Sequence, residues 1–178
     1  MSYPGTRLAV LTAVACLLIA PAGSAAQLLL AQAESASGDS GKPRLVDFWR
    51  PGDSGQRMNI RGRVTSLDGT PLAGIPISIR QANGDGEYTD RYRATLLSDD
   101  QGRYQFGSVL PGNYTGARHV HVGVYTEGYA YFDTSILFKD DPNQQSHYGH
   151  GTAIFLEEST VGGETILFGQ FDIVLTPM

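Results

Sequence analysis

Cysteine is almost missing from this chain: Cys16 is the only one among 178 residues. Cys16 falls inside an N-terminal apolar run, so a processed chain has none and can form neither a disulfide nor a thiolate metal site. A metal must then be held by oxygen and nitrogen donors. Basic clusters are also lacking, with 13 Lys and Arg scattered against 18 Asp and Glu, which argues against nucleic acid as a partner. No window carries the apolar periodicity of a helix of three turns. The one long hydrophobic run, Leu8 to Ala20, ends at Pro21, short of the roughly 20 apolar residues that a membrane span needs.

What stands at the N-terminus instead has the order of a secretory signal. A single charge, Arg7, precedes the apolar run, and Ser24-Ala25-Ala26 supplies small residues for cleavage. Residues 1–26 are therefore read as a signal peptide, with Ala31-Gln32-Ala33 as a second cleavage site as late as residue 33. Lipidation at Cys16 is disfavoured because the apolar run continues through Leu17-Leu18-Ile19. The expected location is periplasmic or extracellular. Loss of Arg7 leaves 12 basic against 18 acidic side chains, a net charge near −6. Residues 27–53, rich in Ser, Gly and Asp in their middle, read as an extended or partly disordered arm. Within it Phe48-Trp49 offers a docking point.

From residue 54 to 178 the pattern is β. Met58–Thr65, Ile75–Ile79, Tyr104–Phe106, His119–Val124, Tyr131–Phe138, Thr152–Leu156 and Thr165–Leu175 read as strands separated by Gly, Pro and Asp turns. That pattern predicts an all-β domain, an antiparallel β-sandwich of about eight short strands.

His119-Val120-His121 lies in one of these strands. Alternate strand residues share a face about 6.6 Å apart along the backbone, so both imidazoles can reach one metal. Tyr114 follows the Pro111-Gly112 turn, and Tyr88 follows the Gly84-Asp85-Gly86 turn. A phenol ordinarily ionises near pH 10, but a hard trivalent cation displaces its proton and binds the phenolate. Two phenolates, two neutral imidazoles and a hydroxide leave Fe(III) without net charge, which suits a partly buried pocket. His147 and His150 are the only other histidines. They read as part of a polar Gly-rich loop, with a second metal site as the alternative. Asn113-Tyr114-Thr115 matches a glycosylation sequon, which a ligand role for Tyr114 would block.

The segments IRGRVTSLDGTPLAGIPISIRQANGDGEYTD, SDDQGRYQFGSVLPGNY, HVHV and GQFDIVL resemble the intradiol ring-cleavage dioxygenases, typified by the protocatechuate and catechol dioxygenases. They follow the family's order from about Asn59 to Leu175. The resemblance implies a transthyretin-like sandwich core, one non-haem Fe(III), and insertion of O2 into a catechol-type aromatic diol. It implies Tyr88 and His119 as equatorial ligands and Tyr114 and His121 as axial ones, with Tyr114 displaced when the diol chelates iron. A homodimer is compatible with it, and no organic cofactor is required. Two positions depart from the pattern. Gly116 stands where an Arg is usual, and Ser135 stands where the family tends to carry Gln. Arg118 is the nearest candidate replacement, although adjacent strand residues point to opposite faces. Arg61 to Tyr114 also resembles metal-free transthyretin-like and carboxypeptidase-regulatory modules. The competing functions are accordingly a non-catalytic binding module and a protein that keeps the metal with altered activity.

Overall fold

The computed structural model describes residues 43–113, 116–146 and 150–178. All of them lie in one compact unit, Gly41–Met178. The expected signal peptide, Tyr114 and His147 fall outside the described residues.

Eleven strands among the described residues form two sheets. The first joins β1 (Leu45–Asp47), β5 (Arg103–Val109), β2 (Arg57–Ser66), β10 (Glu164–Gln170) and β9 (Leu156–Val161) in that order, with β11 (Ile173–Leu175) also paired to β2. The second runs β4 (Tyr88–Leu97), β3 (Pro76–Ala82), β6 (His119–Val124), β7 (Phe132–Phe138) and β8 (Gly151–Ile154). A single 3-10 turn, Gln144–Ser146, is the one helical element among the described residues. The β-sandwich is as expected, but the sheets are mixed rather than antiparallel. β1 with β5, β10 and β11 with β2, and β7 with β8 are parallel pairs. Alternation reports which face a side chain takes, not the direction of the neighbouring strand.

The inner strands of the two sheets each bury one side. Met58, Ile60 and Val64 from one sheet meet Ile77, Val120 and Ile136 from the other, all without solvent exposure. The arm docks at Phe48: its backbone N–H donates to the Gly107 carbonyl at 2.8 Å, and its ring packs on Phe106 and Tyr92. Trp49 lies under the Arg57 guanidinium at 4.2 Å.

The expected strand Thr165–Leu175 is interrupted at Phe171, yet β10 and β11 keep the same register on β2. The interruption has a local cause. Phe171 donates its N–H to the Arg61 carbonyl at 2.9 Å, and its own carbonyl accepts from the Tyr104 hydroxyl at 2.5 Å. A Cβ on Gly62 would stand 1.8 Å from that carbonyl oxygen, so only glycine admits it. Burial, with Asp172 nearby, pushes the Tyr104 phenol far above its ordinary pKa. It therefore remains a donor throughout the working pH range. Tyr104→Phe leaves the buried Phe171 carbonyl without that donor and is expected to cost about 1–3 kcal/mol. Urea unfolding measures this loss.

Candidate metal centre

His119 and His121 project from the outer face of β6, while Val120, Val122 and Val124 face the core. The register places His121 between Arg80 on β3 and Ser135 on β7. Tyr88 arrives from β4, at the end of a turn built on Asn83. The Asn83 side-chain carbonyl accepts from the N–H groups of Asp85 and Glu87, at 3.0 and 2.8 Å. A bulge between Arg80 and Ala82 then sets Tyr88 opposite Ala82. Such irregularities re-aim side chains beside functional sites.

The result is a compact triangle of donors. Tyr88 Oη lies 3.2 Å from His119 Nε2 and 3.2 Å from His121 Nε2, and the two nitrogens are 3.1 Å apart. The imidazoles meet edge to face, with centroids 4.6 Å apart. His119 Nδ1 is 2.8 Å from the Ala117 carbonyl. With the proton on Nδ1, that contact is a hydrogen bond that turns the Nε2 lone pair toward the triangle.

These three donors fit one metal ion. Ligand bonds of about 2.0–2.1 Å at angles between octahedral and tetrahedral set neighbouring donors roughly 3 Å apart. The observed separations of 3.1–3.2 Å match that spacing. Among the described residues no cluster of three His, Cys, Asp or Glu could hold a metal, so a metal here depends on tyrosine oxygen. The structure thus brings together three of the four expected ligands, and the fourth, Tyr114, lies outside the described residues.

Two further positions singled out in the sequence fall on different sides of the triangle. Ser135 is buried directly across from His121. Arg118 does not line the cleft of His121; it lines a separate cavity of about 340 Å³ with Leu110, Lys139 and Asp141. Its backbone N–H donates to Asp141 Oδ2 at 2.5 Å, and its Nε is buried without a hydrogen-bond partner. His150 has its backbone carbonyl bonded to the Ser135 N–H at 2.9 Å, and the residue is exposed.

Sequence reasoning passed over Arg80. Its guanidinium stands 4.6 Å over the Tyr88 ring, and it borders both the cleft of His121 and a smaller one beside Tyr88. Arg93 faces it across the β3–β4 pairing. Among the described residues Arg80 makes no ion pair, and its guanidinium rests on the ring of one of the three donors, Tyr88. The alternation of Ile75, Ile77 and Ile79 was enough to place Arg80 on the outer face. Its nearness to His121 depends on strand register, which no local pattern encodes.

Known proteins share this arrangement of sheets. The family model described as Dioxygenase matches residues 32–177. A chlorocatechol 1,2-dioxygenase of Pseudomonas sp. (strain P51) is 29% identical over 150 residues, covering 68% of this chain and 60% of that protein. Catechol 1,2-dioxygenase 2 of Acinetobacter lwoffii is 31% identical over 117 residues, 51% of this chain and 42% of that protein. The chain thus spans 60% or less of the length of these curated relatives. Among solved structures, 3-chlorocatechol 1,2-dioxygenase from Rhodococcus opacus 1CP superimposes with a TM-score of 0.68 at 18% identity, covering 83% of this chain and 78% of that one. The dioxygenase domain of a dioxygenase carbohydrate-binding protein fusion from Streptomyces sp. SirexAA-E gives 0.64 at 23% identity, covering 79% of this chain and 95% of that one. With the matched family model spanning most of its length and the sandwich of these enzymes, the chain belongs to the intradiol ring-cleavage dioxygenase family.

Proposed function

We propose that the chain is an exported, iron-dependent dioxygenase that opens the ring of a catechol-type diol with O2. The observation that carries this reading is the convergence of Tyr88 Oη, His119 Nε2 and His121 Nε2 within 3.1–3.2 Å on the outer face of a rigid sheet. Tyr114 would complete the ligand set. A metal-free sandwich module has no need to gather these donors. Export rests on the order of charge, apolar run and small residues in the first 33 positions.

A bound ferric ion would act as Lewis acid and template, making a chelated diol reactive toward O2. The protein's part is positioning and proton management. The Ala117 carbonyl orients His119, and the Val120 and Val122 side chains anchor the strand that carries both histidines. Tyr114, if it helps to hold the metal as a phenolate, would also be a base for one of the diol's protons. Arg80 offers positive charge to the Tyr88 phenolate and to an anionic diol beside it.

Gly116 and Ser135, at positions where the family resemblance leads to an expectation of Arg and Gln, favour a second reading in which iron is retained and turnover altered. Oxygen uptake with catechol, followed by product identification, separates the two. Ring opening between the hydroxylated carbons supports cleavage, and an iron-loaded protein that consumes no oxygen rejects it. The role of Arg80 has its own test. Arg80→Met should shift the tyrosinate-to-iron absorption to longer wavelength, because a phenolate without a cation over its ring is a better electron donor. It should also lower turnover several-fold. An unchanged band would remove Arg80 from the site.

A further inference from the structure

His121 lies at one end of a groove that continues well past the donor triangle. Three rungs of the sheet form it. The first holds His121 and Arg80, and the second holds Gly123 between Ser78 and Asp133. The third, one residue beyond the Val124–Phe132 pair, holds Tyr125 and Tyr131. Four residues separate His121 from Tyr125, about 13 Å at strand rise, a length greater than one aromatic ring. The cavity they share has a volume of about 490 Å³.

Its middle is kept low by Ser78 and Gly123, where even an added Cβ would meet nothing nearer than 3.8 Å. Its far end is aromatic. Tyr125 and Tyr131 are 84% and 67% exposed, and their rings meet edge to face at 6.4 Å. Unlike the singly exposed Phe155, they form a contiguous aromatic pair at the end of a groove, the kind of patch that marks a contact site. Asp133 stands on the rim between, exposed, and makes no ion pair among the described residues.

We propose that Tyr125 and Tyr131 form a subsite for a second aromatic ring, so that the preferred substrate is a catechol bearing a hydroxylated aryl substituent. This rests on the dioxygenase reading and names its substrate class. The diol end reaches the donor triangle, and the second ring packs on the two tyrosines. Offset or edge contacts of this kind favour aromatic pairs. Asp133 accepts a hydrogen bond from a phenolic hydroxyl and repels a carboxylate, so the second ring is neutral and phenolic rather than acidic.

Calorimetric titration of the full-length protein, with and without iron, tests this. Three ligands are compared: catechol, a catechol carrying a 4-hydroxyphenyl group, and one carrying a 4-carboxyphenyl group. The hydroxyphenyl compound should bind about 10-fold more tightly than catechol, from ring contacts on two tyrosines. The carboxyphenyl compound should bind more weakly than the hydroxyphenyl one, and Asp133→Asn should narrow that gap. In Tyr125→Ala/Tyr131→Ala the preference for the two-ring ligand should fall to near unity. Phe155→Ala, an exposed aromatic outside this groove, should keep it. Equal affinity for one and two rings, or a preference that survives the double variant, overturns the subsite. So does a tyrosine pair whose replacement changes only the oligomeric state in sedimentation. Because the preference is read on metal-free protein as well, its failure is distinguishable from failure of the iron chemistry, which oxygen uptake with catechol reports separately.

Discussion

His121→Ala is expected to leave a folded protein that no longer retains iron. The side chain stands on the outer face of β6, half-buried, with its Nε2 against Tyr88 Oη and His119 Nε2. Val120 and Val122, on the opposite face, keep their core contacts, so the sandwich loses little. The donor set loses one corner. Losing an orienting group behind a ligand costs roughly 10–100-fold in metal affinity, and losing the ligand itself should exceed that. Ferric iron should raise the melting temperature of the wild type, because a ligand that binds only the folded state stabilises it by mass action. The variant should show no such rise and should hold no iron after gel filtration. Iron content equal to that of the wild type would place the metal elsewhere.

Gly112→Ala should damage stability and site together. The turn carrying Tyr88 and the turn leading to Tyr114 are interlocked at this residue. Gly112 donates its N–H to the Asn83 carbonyl at 2.9 Å. A Cβ there would stand 2.4 Å from the Gly84 carbonyl oxygen and 2.5 Å from the Gly86 nitrogen. These are backbone atoms, so the two turns must separate, which overpacking data put at about 1–3 kcal/mol. Tyr88 begins two residues after Gly86, so the same displacement should loosen its hold on iron. Urea unfolding and iron affinity are the two readouts. Gly123→Ala is the comparison: its Cβ meets only ordinary contacts, and it should be neutral or slightly stabilising. Equal behaviour of the two variants would dissolve the proposed link between the turns.

Much of this arrangement was legible in the sequence, and particular residues show where legibility stops. His119-Val120-His121 declares its faces because valine and histidine alternate, and the structure keeps that alternation with Val120 buried and the imidazoles outside. The Asn83–Gly86 turn announced Tyr88 through its glycines and aspartate. β9 escaped notice because Leu156–Val161 is an edge strand with no buried residue, so it carries no apolar alternation. Register escaped it too. Arg80 reads as an ordinary outward arginine until β3 is laid against β6 and β4. The same ignorance of strand direction made the sheets look antiparallel. Arg118, adjacent to His119 in sequence, turns to another cavity, as the alternation of strand faces anticipates.

The visible spectrum of iron-loaded protein tests the central claim most directly. A ferric ion held by Tyr88 with His119 and His121 should colour the solution red-brown through tyrosinate-to-iron charge transfer. Tyr88→Phe should weaken or shift that band, and adding catechol to the wild type should move it to longer wavelength. A colourless protein that takes up no iron on reconstitution, with its fold intact, would contradict the account.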